Sequence, residues 1–479
     1  MSREKVVPFD RPPTDEPPSD RPRDGLLLNP RDPRPSARAW LVRETLEGRV
    51  WFIDGQFYVW ESPAYRLFPV PELRSRLGAF LDTCLKMTSA SNPTPDAFKP
   101  TRDDINLVVD ALQQLTYRQV PHPSWLDDTM LDPRECVLCQ NGILHIPSGV
   151  LHPPNPMFFS VNALTFAFDA DAPKPIALLR FLDTLWPDDP EPIALLQEWF
   201  GYLLTPDTRY QKILVIVGPP RSGKGTIIRV LQRLLGTMNI CSPTLTALAQ
   251  QFGRQVFIGK TAAIFPDAKI SGRMDTAAIV EALLSISGED QQTIPRKNVG
   301  DWTGALNVRF TILTNEPPRL DDASGALVSR MLILPLVETF LGREDLSLTD
   351  KLLAELPGIL QWARTGWLRL HDRGRFLDLP MSDAMRDDLR ELNSPIHAFI
   401  AEWCDRSDPD ATIARRDLFA GYQRWCKDHG REHPGTEEQF GQRLQAAFPA
   451  IRSTRPRSDE PGRPRFYVGL DLHFSKKSG

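Results

Sequence analysis

Cysteine is scarce in this chain. Six residues in 479 carry thiols (Cys84, Cys136, Cys139, Cys241, Cys404 and Cys426), and they are scattered. That excludes a disulfide-built secreted scaffold and fits a reducing compartment. Long apolar runs are missing too. None approaches the ~18 residues of a membrane helix, so no membrane span and no membrane partner are expected. The N-terminus lacks an apolar core behind a basic start and does not read as a signal peptide, so a cytoplasmic location is expected. Charge of one sign is absent as well. Lys and Arg number 57 against 61 Asp and Glu, a net charge of -4. There is no global basic field, so any grip on nucleic acid must come from local patches. Internal repeats are not detected.

The chain is long enough for about three domains. Residues 1–35 hold nine prolines and seven charges of each sign. They cannot bury a core and read as a disordered tail. Residues 36–195 read as a mixed α+β domain. Val50–Ile53 and Gln56–Trp60 are strands around an Asp-Gly turn. Cys136–Ile146 is a second hairpin, turning at Asn141-Gly142. Leu73–Met87, Ile105–Leu115, Ile176–Leu185 and Pro192–Leu204 carry helical periodicity. Residues 196–380 alternate strand and helix, which predicts an α/β domain with a parallel sheet. Its strand candidates are Ile213–Val217, Thr261–Phe265, Arg309–Thr314 and Met331–Leu336. After a charged connector, residues 395–479 carry three helical segments, Ile396–Cys404, Arg416–His429 and Glu437–Phe448. A basic loop and the strand Arg465–Leu470 follow, the outline of a winged helix.

What is present in abundance is phosphate chemistry. The run Lys212–Val217 is a buried strand, and it leads directly into Gly218-Pro219-Pro220-Arg221-Ser222-Gly223-Lys224-Gly225-Thr226. Ile227–Leu231 then reads as a helix. Glycines let the backbone curl so that its N–H groups converge, the helix offers its positive end, and Lys224 reaches the outer phosphates. The position after Lys224 is ordinarily Ser or Thr, a magnesium ligand. Here it is Gly225, and Thr226 is the nearest hydroxyl that can bind phosphate or Mg2+. A second station, Thr261–Asp267, is an apolar strand ending in an acid that suits magnesium handling. Glu281 is a weak candidate for polarising water, and a helix-surface glutamate is its alternative. A third, Ser287–Lys297, is polar and ends in the adjacent cations Arg296 and Lys297. A fourth strand delivers Asn315, whose neutral amide can hydrogen-bond an attacking water and the terminal phosphate. Arg330 follows fifteen residues later.

In this order the stations resemble the superfamily 3 helicases, a branch of the AAA+ ATPases, and within it the C-terminal portion of phage and plasmid primase–helicases. Thr314–Pro318, Asp321–Arg330 and Glu355–Ala363 add to the likeness, and Asn141–Leu144 resembles the helicase-associated N-terminal region. The resemblance implies an ATP- and Mg2+-dependent DNA helicase in a bacterial host cell. It implies a homo-oligomer, a hexameric ring moving 3′-to-5′ on single-stranded and forked DNA during replication of a phage, plasmid or mobile element. Lys224 and Thr226 would bind phosphate, Asp267 would hold the metal, Asn315 would position water, and Arg330 would reach a neighbour's site. Arg296 and Lys297 would line the central channel. Residues 411–479 hold 13 Lys or Arg against 8 Asp or Glu. Arg443 on the candidate recognition helix, with Arg455 and Arg457 beside the wing, would touch DNA. No acidic polymerase cluster precedes residue 36, so a separate primase is expected. Two alternatives stay open: an origin-binding ATPase switch that does not unwind processively, and a nucleotide kinase. Cys136-x-x-Cys139 has no second pair and reads as strand rather than zinc site. Trp362, Trp367 and Trp425 read as core.

Overall fold

The computed structural model describes residues 25–87, 94–129, 131–266, 275–297, 299–316, 318, 320, 325–380, 385, 394–430, 434–454 and 465–472. The chain is a mixed α/β protein with a five-stranded parallel sheet and, among the described residues, thirteen α-helices. It divides into two compact units: residues 1–61 with 65–120, and residues 62–64 with 121–479.

In the first unit the strands Val50–Ile53 and Gln56–Glu61 pair antiparallel, and Ala64–Leu67 joins them. Asp54 and Gly55 turn the hairpin with φ of 49° and 76°, the left-handed pair that an Asp-Gly dipeptide favours. The helices Pro33–Arg43, Val70–Asp82 and Arg102–Thr116 supply Trp40, Leu73, Leu77 and Leu112 to its core. Thr101 and Asp104 cap the last of these reciprocally. Two expectations change here. Residues 25–35 belong to this unit rather than to an unfolded tail: Leu28 is buried and its N–H bonds Leu85 O at 2.8 Å. The helical periodicity from Leu73 breaks at Asp82, and Leu85–Met87 is a strand paired with Pro95–Ala97.

The second unit is organised by the parallel sheet. In chain order its strands are Ile213–Val217, Ile240–Cys241, Ala262–Phe265, Arg309–Thr314 and Met331–Pro335. Across the sheet they run second, third, fourth, first, fifth, all parallel. All five residues of Ile213–Val217 are buried. Leu214 and Ile216 face one apolar cluster, while Ile213, Val215 and Val217 face another. A strand covered on both faces needs an unbroken apolar run, which is what the sequence shows. The edge strand Ile240–Cys241 was not anticipated, since two residues carry no periodicity.

One face is covered by the helices Pro190–Leu204, Lys224–Leu235 and Leu356–Arg373, and the other by Thr276–Ser287. Residues from 137 onward, including the hairpin Cys136–Cys139/Gly142–His145, share the first cluster with the sheet. The structural division therefore falls near residue 120, not 195, because the inward faces of this hairpin and of Pro190–Leu204 bury against the sheet. The hairpin turns at Gln140-Asn141, one residue earlier than read. A side chain at Gly142 would meet His152 O at 2.2 Å.

Pro190–Leu204 and Leu356–Arg373 approach backbone to backbone. A Cβ at Gly201 would lie 2.4 Å from Ala363 O, and one at Gly366 would lie 2.2 Å from Gln197 O. Between them Glu198, fully buried, accepts from Arg369 Nε at 2.7 Å, from Arg373 Nη2 and from Leu377 N–H at 3.0 Å. Arg309 is buried where Pro190–Leu204 ends. It donates to the carbonyls of Leu203 at 3.1 Å and of Thr205, capping the negative end of that helix. Burial pushes its pKa down to about 10.

At the chain's end Pro395–Trp403, Arg415–Asp428 and Glu437–Ala447 pack with the small antiparallel sheet Thr412–Ala414, Phe466–Val468, Arg452–Thr454. Phe399, Leu418, Trp425, Phe440 and Tyr467 form its core. Trp425 and Trp367 are buried, and Trp362 packs partly buried against the main cluster.

Two stability predictions follow from these buried groups. Glu198→Ala strands two guanidinium groups and should cost about 3–5 kcal/mol in urea unfolding. The second is a pH dependence. His122 accepts from Val161 N–H at 2.9 Å and burial lowers its pKa from 6.5 to about 4. The folded chain keeps it neutral while the unfolded chain protonates it below 6.5. Its contribution is complete above pH 6.5 and is lost as pH falls through about 4, up to about 3 kcal/mol. The urea midpoint of wild type should drop over that window, and His122→Gln should flatten the drop.

Candidate functional site: a cationic cavity at the sheet's carboxyl edge

Parallel pairing decides what meets at this edge. Val217 lies opposite Thr314 and Pro335, so the loop after Val217 emerges beside Asn315 and Leu336. Gly218 N–H donates to Thr314 O at 3.2 Å, and Leu336 N–H donates to Val217 O at 2.7 Å. The first strand is also where the chain's winding reverses, with earlier connections on one side and the last on the other. Open α/β sheets place ligands in the crevice at such a point.

The loop is shaped by its glycines. A Cβ at Gly218 would stand 2.6 Å from Leu336 O. Gly223 adopts φ +94° just ahead of the helix Lys224–Leu235, and a Cβ there would meet Leu185 Cδ2 at 3.0 Å and Phe181 Cζ at 3.2 Å. The helix Ile176–Leu185 thus buttresses the loop, and its own N-terminus is fixed by Glu355. That carboxylate accepts from Ala177 N–H at 2.9 Å and Leu178 N–H at 3.0 Å. From the other side Thr339 Oγ1 donates to Pro220 O at 3.1 Å, and Phe340 N–H donates to Arg221 O at 3.0 Å.

Together these elements enclose a cavity of about 710 Å³, within the range of small-ligand sites. Pro220 to Thr226, Asn315, Phe181 and Phe340 line it. So do the cations Arg180, Arg221, Lys224, Arg229, Arg343 and Lys351, against only Glu344 and Asp345. A surplus of cations beside two phenylalanines is chemically suited to an anion with an apolar portion. The Lys224 ammonium donates to the carbonyls of Gly218 and Pro219 (2.8 Å to the latter) and to Ser222 Oγ at 3.3 Å. Thr226 Oγ1 accepts from Arg229 Nη2 at 3.0 Å. Thr226 lines the cavity, and Asp267, the other metal ligand read from sequence, lies outside the described residues. Its strand ends at Phe265 and Pro266 is exposed.

Arg330 sits at the opposite edge. It precedes Met331, which pairs with Ile213 at the start of the strands, about 15 Å from the loop along the strand direction. Its guanidinium donates to Leu284 O and to Ser287 Oγ at 2.9 Å. It does not join the cavity of its own chain. Glu281 is exposed on Thr276–Ser287.

Arg296 and Lys297 close the hairpin Gln292–Arg296/Val299–Gly304, which is bulged between Ile294 and Arg296. Arg296 Nε donates to Gly300 O at 2.8 Å, and Lys297 is exposed. Lys297 Nζ stands 5.9 Å from the ring centroid of Phe252, itself 38 % exposed. Arg254 ties the Phe252 segment to this hairpin by donating to Gln292 Oε1 at 3.2 Å. Sequence reasoning missed Phe252, whose one signal was a lone aromatic in the polar run Gln250–Arg254. Arg443 is exposed on Glu437–Ala447, whereas Arg455 and Arg457 lie outside the described residues. Cys136 and Cys139 are buried in one strand, and burial pushes both thiols up to about 12. Among the described residues no group of three or more His, Cys, Asp or Glu is placed to hold a metal ion.

Two family models match parts of the chain. A family of unknown function (DUF5906) matches residues 216–330, and a Poxvirus D5 protein-like family matches residues 391–466. No curated protein matches it. Among solved structures, the apo structure of the NrS-1 C terminal region is similar at 12% identity and a TM-score of 0.52, covering 92% of this chain and 99% of that one. The A form apo structure of the same region is similar at 11% identity and 0.50, covering 91% and 99%. At these identities the likeness is one of fold. No helix among the described residues is long and apolar enough to cross a membrane.

The loop geometry separates its glycines. Gly223→Ala should cost about 1–3 kcal/mol through its positive φ. Gly225, in ordinary helical backbone with only Arg229 Nη1 near its missing Cβ at 3.4 Å, should accept alanine with a change within about 1 kcal/mol. Urea unfolding of the two variants checks the contrast.

Proposed function

We propose that this chain is an ATP-dependent DNA helicase acting in replication of a phage, plasmid or mobile element, in the cytoplasm of a bacterial host. The observation that carries the proposal is the convergence of Gly218–Thr226 and Asn315 on one cation-rich cavity at the sheet's carboxyl edge. The Poxvirus D5 protein-like match and the whole-length fold likeness support a replication protein of viral type. The strand order and loop support the AAA+ superfamily 3 assignment, and the three helices with their small sheet support a winged helix at the C-terminus.

In this reading the loop N–H groups and Lys224 bind the β- and γ-phosphates of ATP, and Asn315 holds water against the γ-phosphate. Mg2+, held by Thr226 and Asp267, would neutralise charge developing between those phosphates. Arg330 stands too far from its own loop to serve it, which supports a role in a neighbouring subunit's site and hence a homo-oligomeric ring, a hexamer. Lys297 and Arg296 grip the backbone of single-stranded DNA, and Phe252 beside Lys297 offers a face on which a base stacks. Arg443, Arg455 and Arg457 meet duplex DNA at the fork.

The test is ATP hydrolysis with and without single-stranded DNA, and unwinding of a tailed duplex. Lys224→Ala should lose both activities. Arg330→Ala should bind ATP but turn over at least ~10³-fold more slowly, as loss of a trans arginine does. Mixing these two variants should restore part of the hydrolysis. No rescue at any ratio would remove the shared site. Ring formation and DNA binding without unwinding would favour an origin-binding switch, and phosphate transfer to a nucleoside monophosphate would favour a kinase.

A further inference from the structure

Gly225 poses a question that the fold does not answer. Its backbone is helical, it is exposed, and nothing rigid crowds it. Any small residue fits there sterically, including a serine or threonine. What occupies the neighbouring space is Arg229, whose Nη1 lies 3.4 Å from the position of the missing Cβ. Helical side chains lean toward the N-terminus, so residue 229 lies back over the turn that holds Gly225 and Thr226. Its guanidinium is held there by two neutral hydroxyls. Nη2 donates to Thr226 Oγ1 at 3.0 Å, and Nε donates to Thr349 Oγ1 at 3.3 Å. Both threonines line the cavity with it.

Two of the other cations in the lining have acids beside them. Arg221 Nε stands 3.7 Å from Glu344 Oε1, and Lys351 pairs with Asp345 at 2.9 Å. Among the described residues Arg229 pairs with no carboxylate. A planar guanidinium, oriented by hydroxyls but not neutralised, at the first turn of the loop helix and facing a cavity, is suited to a phosphate oxygen.

We propose that Arg229 is a phosphate-binding residue of this site, its guanidinium lying over the space that glycine at 225 leaves open, so that the chain itself brings a second cation to the triphosphate. The proposal rests on the reading of Gly218–Thr226 as a triphosphate loop. Its consequence is a site that holds the triphosphate comparatively well without metal, because the glycine that removes a side-chain metal ligand also admits a fixed positive charge.

The experiment is equilibrium binding of a ribose-labelled fluorescent ATP analogue to the full chain, in EDTA and in Mg2+, with unlabelled adenosine as competitor. Wild type, Arg229→Ala, Arg229→Lys and Lys224→Ala are compared, each checked for folding by circular dichroism. Arg229→Ala should weaken analogue binding by about 10- to 100-fold in EDTA, the range of a charged hydrogen bond. The factor should be smaller in Mg2+, adenosine affinity should be unchanged, and Arg229→Lys should recover part of the loss. Equal affinity of wild type and Arg229→Ala in EDTA overturns the proposal, as does an equal loss for ATP and adenosine, which would place Arg229 on the base or in the scaffold. Lys224→Ala separates the two levels. If it binds the analogue as wild type does, the triphosphate loop itself is wrong. If it loses binding while Arg229→Ala does not, only the role of Arg229 falls.

Discussion

One strand, Ile213–Val217, is hydrogen-bonded in parallel on both sides, and the rest of the second unit depends on it. Its partners Arg309–Thr314 and Met331–Pro335 bring their own C-terminal ends level with the loop that follows Val217. Asn315 and Leu336 reach that loop for this reason alone. The same parallel register carries Arg330 to the far edge, a strand length from the cavity. Parallel strands cannot be joined by tight turns. The intervening crossovers therefore supply two of the covering helices, Lys224–Leu235 and Thr276–Ser287, and the second leads directly into the Arg296/Lys297 hairpin.

Buried charge shows how tightly the scaffold behind the site is specified. Glu198 and its two arginines lock Pro190–Leu204 to Leu356–Arg373, and Arg309 closes the carbonyl end of the same helix. Such groups are costly to bury and costlier to leave unpaired, so they hold the helices in one relative position. At the sheet's carboxyl edge the logic is reversed. The cavity gathers six cations against two acids. Paired charge thus fixes the scaffold, while the cavity carries a surplus of positive charge.

Much of this was legible in the sequence because the signals were local. The apolar run Ile213–Val217, the glycines at 218 and 223 and the amphipathic helix after them specify strand, loop and helix through backbone sterics and burial alone. The Asp-Gly turn at 54–55 and the periodicity of Ile176–Leu185 are likewise written in neighbouring residues. Reading failed where the deciding partner was distant. Leu85–Met87 continues a helical pattern, yet it is a strand because Pro95–Ala97 lies beside it. The hairpin at 136–145 looked like part of an N-terminal domain, yet its inner face belongs to the core of the sheet.

Neighbouring residues were enough to specify the local features: a glycine-rich loop after a buried strand, an amide at the end of another, two cations on a hairpin, and too little cysteine or apolar length for a disulfide scaffold or a membrane helix. Which of these share a site depended on how the chain folds. Phe181 and Phe340, more than 150 residues apart, wall one cavity. Phe252 stands under Lys297, and Arg229 rises over Gly225 beside Thr349. Short-range preferences act through steric clashes and hydrogen bonds between neighbours, and these can be read from spacing. Proximity across the sheet is set by which strands pair and which faces they bury, a property of the whole folded chain.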